Sequence, residues 1–214
     1  MIKLTNIFSY KKRQLSQTKG DFIMERKSQI YQFACCALMA ALMCIFGPMS
    51  VPIGPVPVSL TNLVIYFTVY LIGMKGATVS YLIYMLLGIV GLPVFSGYQG
   101  GLAKVAGPTG GYLVGFILMA LICGFVMEKS NVNIPITVVG MIVGTLVAYA
   151  FGTVWFVQLM DVTYSYALTV CVFPFIPFDL AKIGIATVLG KVVRMALIRA
   201  NLITAKTVKT SEAS

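Results

Sequence analysis

Charge is missing from most of this chain, and that absence limits what it can fold into. Residues 28–74 contain no Asp, Glu, Lys or Arg, and neither do residues 76–103, 105–127 or 130–160. A helix of about 20 predominantly apolar residues crosses a bilayer, so each gap has room for at least one span. The 214 residues are 59% hydrophobic and 10% charged, whereas soluble domains carry about 25% charged residues. The chain reads as an all-α, polytopic membrane protein set in the lipid bilayer, with one membrane domain.

The remaining charge sits mainly at the ends. Of 16 Lys and Arg, seven fall in residues 1–27 and five after residue 190. A net charge of +10 distributed in this way is not a nucleic-acid footprint. Basic segments flanking spans mark the cytoplasmic side, and two cytoplasmic termini require an even number of spans. We therefore expect a basic cytoplasmic segment over 1–27, a membrane domain of six transmembrane helices over 28–200, and a cytoplasmic tail over 201–214. The apolar run after residue 27 is span-length and lacks a small-residue cleavage site, so no secretory leader is expected.

The spans follow from punctuation. Span 1 runs from about Ser28 to Phe46 and carries Ala37 and Ala41, small residues four apart that let another helix approach closely. That neighbour is either within the protein or a partner subunit. Residues 47–57 hold four prolines and are extended or turning rather than helical. Span 2 runs from Val58 to Met74, with Ser59 suited to capping its start and Asn62 one turn inside, as a cap or as a ligand contact. A tight inner turn at Met74-Lys75-Gly76 leads to span 3 over Ala77–Val90. Spans 4 and 5, Thr109–Met127 and Ile134–Met160, each carry a GxxxG pair, Gly111/Gly115 and Gly140/Gly144, and so pack tightly. Aromatic residues near the end of span 5, Trp155 among them, form an interfacial belt or a stacking surface for a ring. A last outer connection, helical over Tyr164–Cys171, leads to span 6, which Pro177 opens.

Between spans 3 and 4 lies a polar interruption, Phe95 to Tyr112, with six glycines, Pro108 and Lys104. Irregular backbone near a bilayer persists where protein or a water-filled cavity satisfies its peptide groups. This loop either lines a binding site or simply connects two helices. Asp179 and Lys182 stand three apart at the head of span 6 and share a helix face. Ionisable groups within spans are costly and mark function by default, although a self-satisfying pair is the plainer alternative.

The chain holds no histidine and no P-loop motif, and its five cysteines lack ligand spacing. We expect no enzyme, no metal site and no cofactor. Uphill transport would then draw its energy from an ion gradient or another subunit.

The run Gly107-Pro-Thr-Gly-Gly-Tyr112, with Gly54-Pro-Val-Pro-Val-Ser-Leu60, Gly88-Ile-Val-Gly-Leu-Pro-Val-Phe95 leading to Gly100-Gly101, and Phe178-Asp-Leu-Ala-Lys182, resembles the BioY family across roughly residues 30–200. That family comprises the biotin-binding S components of energy-coupling factor (ECF) transporters, multi-pass proteins of the prokaryotic cell membrane. The resemblance implies a six-helix fold and an outer pocket for biotin, which is cargo rather than cofactor. In that pocket Asp179 and Lys182 would hydrogen-bond the ligand, with Asn62 and Thr109 as further contacts. The loop with Gly100, Gly101 and Gly107 would line and close the pocket, and Tyr98, Tyr112 and Trp155 would wall it. It also implies a transmembrane coupling subunit and two ATPase subunits as partners, with Ala37 and Ala41 as the docking pair. The loop departs from the family pattern at Tyr98-Gln99 and at Lys104, where an apolar residue is expected. Rival readings are an S component for another vitamin or a biotin precursor, a stand-alone carrier, and an intramembrane enzyme, against which the missing histidine argues.

Overall fold

The computed structural model describes residues 30–200, and the expected cytoplasmic segments 1–27 and 201–214 lie outside them. Helix α1 spans Ile30–Phe46. Its Cys36, Met39, Ala40 and Met43 are buried at helical spacing, whereas Ala37 and Ala41 are exposed. The proline-rich segment is extended, as expected: β1 (Ser50–Val51) pairs antiparallel with β2 (Val58–Ser59). Ser59 does not cap the next helix, whose start has no side-chain cap.

Helix α2 covers Thr61–Val90 and is broken at Gly73, where φ is 72° and ψ is −171°. That backbone region is essentially restricted to glycine. The break reverses the chain. Asn62 and Tyr84 line one cavity, yet a straight helix would set them roughly 33 Å apart at 1.5 Å per residue. The reversal thus falls just before the expected turn at Met74-Lys75-Gly76. Met74 opens the second arm, and Glu128 caps it by accepting the Met74 N–H on Oε1 at 2.7 Å. A carboxylate is favoured at such a helix start, where N–H groups lack partners.

A five-residue helix, α3 (Leu102–Ala106), interrupts the polar loop. Helices α4 (Gly110–Lys129) and α5 (Ile134–Met160) form an antiparallel hairpin. Both GxxxG pairs serve this interface. A side chain added at Gly111 or Gly115 would meet Trp155 or Ala148, and one added at Gly140 or Gly144 would meet Val126 or Cys123. Thr163 caps α6 (Tyr164–Cys171), which meets α7 (Ile176–Arg199) at 45°. Helix α7 lies along the first arm of α2, with Lys182 on Asn62 and Arg194 donating to the Tyr70 carbonyl at 2.8 Å. The core of these helices is rich in tyrosine and methionine: Tyr66, Tyr81, Met119 and Met141 are fully buried.

The described residues are therefore all-helical apart from the short hairpin. Helices α4 and α5 are each long and apolar enough to cross a membrane, as is α2 when its two arms are counted as one length, and the bent pair α6–α7 makes a fourth if counted as one span; α1 is apolar but shorter. Contacts at opposite ends of the bundle show the helical segments alternating in direction. Asn62, Tyr84, Tyr112, Tyr149 and Asp179 gather at one end, and Met74 and Glu128 meet at the other.

Candidate functional site

The gathered end holds a cavity with an empty volume of about 640 Å³, measured out to its open mouth. Its wall comes from the starts of α2, α4 and α7, the second arm of α2, the middle of α5, and both adjoining loops.

Buried in this wall is a four-residue polar network. The Asp179 carboxylate accepts Asn62 Nδ2 at 2.8 Å and Lys182 Nζ at 2.9 Å on Oδ1, and the Tyr149 hydroxyl at 2.5 Å on Oδ2. Lys182 also donates to the Ser59 carbonyl at 2.7 Å and to Asn62 Oδ1 at 3.0 Å. Asp179 and Lys182 are only 5% and 7% exposed. Charges so placed must be paired and hydrogen-bonded, because isolated burial is prohibitive. The ammonium's three donors are all engaged within the protein. The carboxylate, with roughly four lone-pair positions, accepts three bonds and keeps capacity for one more donor.

Much of the rest of the wall is apolar and aromatic. Tyr84 and Phe95 pack edge-on, with ring centroids 5.6 Å apart, and Phe175 is buried nearby. The Tyr84 hydroxyl donates to the Val94 carbonyl at 3.0 Å, and Tyr112 donates to the Cys171 carbonyl at 2.9 Å. Both phenols thus face the cavity with their hydroxyls occupied. Lys104 reaches the wall from α3, where partial burial pushes its ammonium pKa below the usual value.

Of the residues singled out from the sequence, the cavity brings together Asn62, Thr109, Tyr112, Asp179 and Lys182. Tyr98, Gly100, Gly101, Gly107 and Trp155 do not line it. Tyr98 is 68% exposed and adopts a positive φ of 58°. Gly100 and Gly101 shape the loop: a side chain at Gly100 would strike the Leu92 carbonyl, and the Gly101 N–H donates to the Gly88 carbonyl at 2.7 Å. Trp155 is a clamp on the loop. Its Nε1 donates to the Gly107 carbonyl at 2.9 Å, and its Cβ and Cγ lie where a side chain at Gly111 would go. Trp155→Phe keeps an aromatic side chain and removes the donor. We expect a stability loss of about 0.5–1.5 kcal/mol and faster amide exchange over residues 102–112, read by hydrogen-exchange mass spectrometry. Unchanged exchange there would refute the clamp.

Tyr149 was not anticipated as a site residue. In sequence it is one aromatic among several near the end of α5, and its contact with Asp179, 30 residues away, becomes visible only in three dimensions. The same holds for Tyr84.

Comparison with known proteins agrees with the motifs. Residues 21–199 match the model of the BioY family. The chain is 32% identical to biotin transporter BioY2 of Lactococcus lactis over 176 residues, covering 82% of this chain and 94% of the relative. It is 34% identical to biotin transporter BioY of Thermotoga maritima, covering 74% of this chain and 93% of that one. Its fold superposes on the crystal structure of the S component for biotin from an ECF-type ABC transporter with a TM-score of 0.74 at 27% identity, covering 79% and 93% of the two chains. The chain belongs to the BioY family.

Proposed function

We propose that this chain is the biotin-binding S component of an ECF-type transporter, a multi-pass protein of the cell membrane and not an enzyme. The observation that carries the reading is the buried Asn62–Tyr149–Asp179–Lys182 network in the wall of an open cavity, in a chain whose relatives are biotin transporters. Biotin's bicyclic ring is apolar apart from a ureido group with two N–H donors and one carbonyl. Asp179 is the acceptor with capacity to spare, so it takes a ureido N–H, and Lys182 holds the carboxylate in place. Asn62 and Tyr149 orient the pair, and Tyr84, Phe95, Tyr112 and Phe175 give the ring apolar faces. Gly100, Gly101, Gly107 and Trp155 act indirectly, by fixing the loop that carries Thr109 and Lys104, while Tyr98 lies at its outer surface.

Six membrane passes complete the reading: α1, the two arms of α2, α4, α5 and α7. Alternation puts the cavity outside and both termini in the cytoplasm, in keeping with the basic ends. Energy comes from partners, a transmembrane coupling subunit and two ATPase subunits. Ala37 and Ala41 lie exposed on α1, whereas the GxxxG pairs are already used internally, so the alanine pair is the free small-residue face for docking. Ala37→Leu with Ala41→Leu is expected to abolish co-purification with the coupling subunit while leaving biotin binding intact. Undiminished co-purification would remove this face from the docking assignment. The function itself is tested by titrating the purified chain in nanodiscs with biotin, desthiobiotin and thiamine. Tight, saturable binding of biotin supports it, and binding of thiamine in place of biotin overturns it.

A further inference from the structure

Resting on the biotin reading, we infer that Arg194 is a positioning residue for the ligand site at the far end of the bundle. It latches α7 to the first arm of α2 and thereby sets how tightly the Asp179–Lys182 wall holds its ligand.

The latch grows out of the break at Gly73. In an unbroken helix the Met74 N–H would donate to the Tyr70 carbonyl, four residues back. The break parts these two groups, and each is taken by a charged side chain from a different helix. Glu128 of α4 accepts the Met74 N–H at 2.7 Å, and Arg194 of α7 donates through Nη1 to the Tyr70 carbonyl at 2.8 Å. A cation suits the C-terminal end of a helix as an anion suits the N-terminal end. An arginine near the end of a spanning helix ordinarily extends its head group toward water. This one bends onto a neighbour's backbone and is half-buried. It has no carboxylate partner among the described residues, where the one ion pair is Lys182–Asp179. One turn earlier on α7, Gly190 lets the helices touch, because a side chain there would overlap the Tyr70 ring. Gly190 and Arg194 therefore grip the ring and the carbonyl of the same residue.

That grip lies on the same face as the ligand site. Asp179, Lys182, Ile183, Ala186 and Gly190 are the buried residues of α7, and Arg194 continues their spacing of three and four, which keeps them on one side of the helix. Asn62 and Tyr70, eight apart, likewise share one side of the first arm of α2. Polar contacts thus fasten α7 to that arm at both ends, through Asn62 at the cavity and through Tyr70 beside Gly73. At the cavity end α7 has no straight continuation, since α6 meets it at 45°. A helix turns by about 100° per residue, so a small slip of α7 carries the Asp179 carboxylate away from Asn62 and Tyr149, which it must meet together. Arg194 holds that register from the far end.

The test reads biotin affinity, binding stoichiometry and amide exchange on the intact chain in nanodiscs. Arg194→Met is expected to weaken biotin binding by about 5- to 150-fold, the usual range of coupling between distant sites. Unchanged stoichiometry would place that loss in folded protein. Arg194→Lys should restore most of the affinity, because the contact uses one N–H donor rather than a two-pronged fork. Lys191→Met, which removes an exposed cation from the same stretch of α7, should bind as the wild type does. Coupling is reciprocal, so biotin should slow amide exchange over residues 70–76 in the wild-type chain and lose that effect in Arg194→Met. The wild-type exchange measurement decides the case even where Arg194→Met does not fold. Wild-type affinity in Arg194→Met, an equal loss in Lys191→Met, or no biotin-dependent change over residues 70–76 would each overturn the latch while the biotin reading stands. If the wild-type chain binds no biotin, both fall together.

Discussion

Lys182→Met alone is expected to lower stability by about 3–5 kcal/mol, because it strands the Asp179 carboxylate in a buried site. Biotin binding should be lost with it. Adding Asp179→Asn removes the stranded charge, and the double variant should recover most of the stability without recovering the ligand. Asparagine keeps its oxygen for Asn62 Nδ2, which now reaches Asp179 Oδ1 at 2.8 Å, and can turn its amide N–H toward the Tyr149 hydroxyl, which then accepts, so no charge is left stranded. The recovered fold would hold a weaker acceptor where a carboxylate had received a ureido N–H, since bonds to an ionised partner are roughly twice as strong. Thermal unfolding in nanodiscs and equilibrium biotin titration separate the two effects. Biotin binding of wild-type strength in Lys182→Met, or a double variant no more stable than the single one, would contradict this division of roles.

The second large effect is expected at the opposite end of the bundle. Gly73→Ala places a side chain in a backbone conformation that costs about 1–3 kcal/mol for residues other than glycine. The added methyl would also overlap Glu128 Oε1, displacing the group that caps the second arm of α2 at 2.7 Å. The two costs compound, so Gly73→Ala should be destabilised more than Glu128→Gln, which keeps an uncharged acceptor in place. Because both arms of α2 contribute to the cavity, weaker biotin binding should accompany the loss of stability. Thermal unfolding of the three proteins tests the order, and a Gly73→Ala chain as stable as wild type would refute it.

Features set by local chemistry could be read from the sequence. The bounds of α6, the extended proline segment and Pro177 in the first turn of α7 depend on residues within one or two turns. The two GxxxG pairs were legible as tight packing, although not as surfaces facing each other. What escaped depended on distant residues. The reversal falls at Gly73 rather than over 74–76 because Glu128, 54 residues later, caps the arm that Met74 begins. Trp155 and Tyr149 stand on the same helix, and the family resemblance implied Trp155 as a wall of the pocket. Their contacts reverse the roles: Trp155 turns to the Gly107 carbonyl and Tyr149 to Asp179. Among the site residues, Asp179 and Lys182 were readable because charge within an apolar segment needs a partner whatever the fold. Ser59 was misjudged because its backbone carbonyl, not its hydroxyl, meets the ammonium.

The tight α4–α5 hairpin also bears on how the protein is made. Its helices are separated by only a short turn before Ile134, and their glycine pairs mesh with each other, so they can associate in the bilayer as soon as α5 has left the ribosome. Asp179 and Lys182 arrive last, on α7. Until then Asn62 and the Tyr149 hydroxyl lack the carboxylate that joins them. Insertion of α7 therefore completes the buried Asp179–Lys182 ion pair and the proposed ligand site in one event, so that a nascent protein is expected to become competent for its cargo only once α7 is in place.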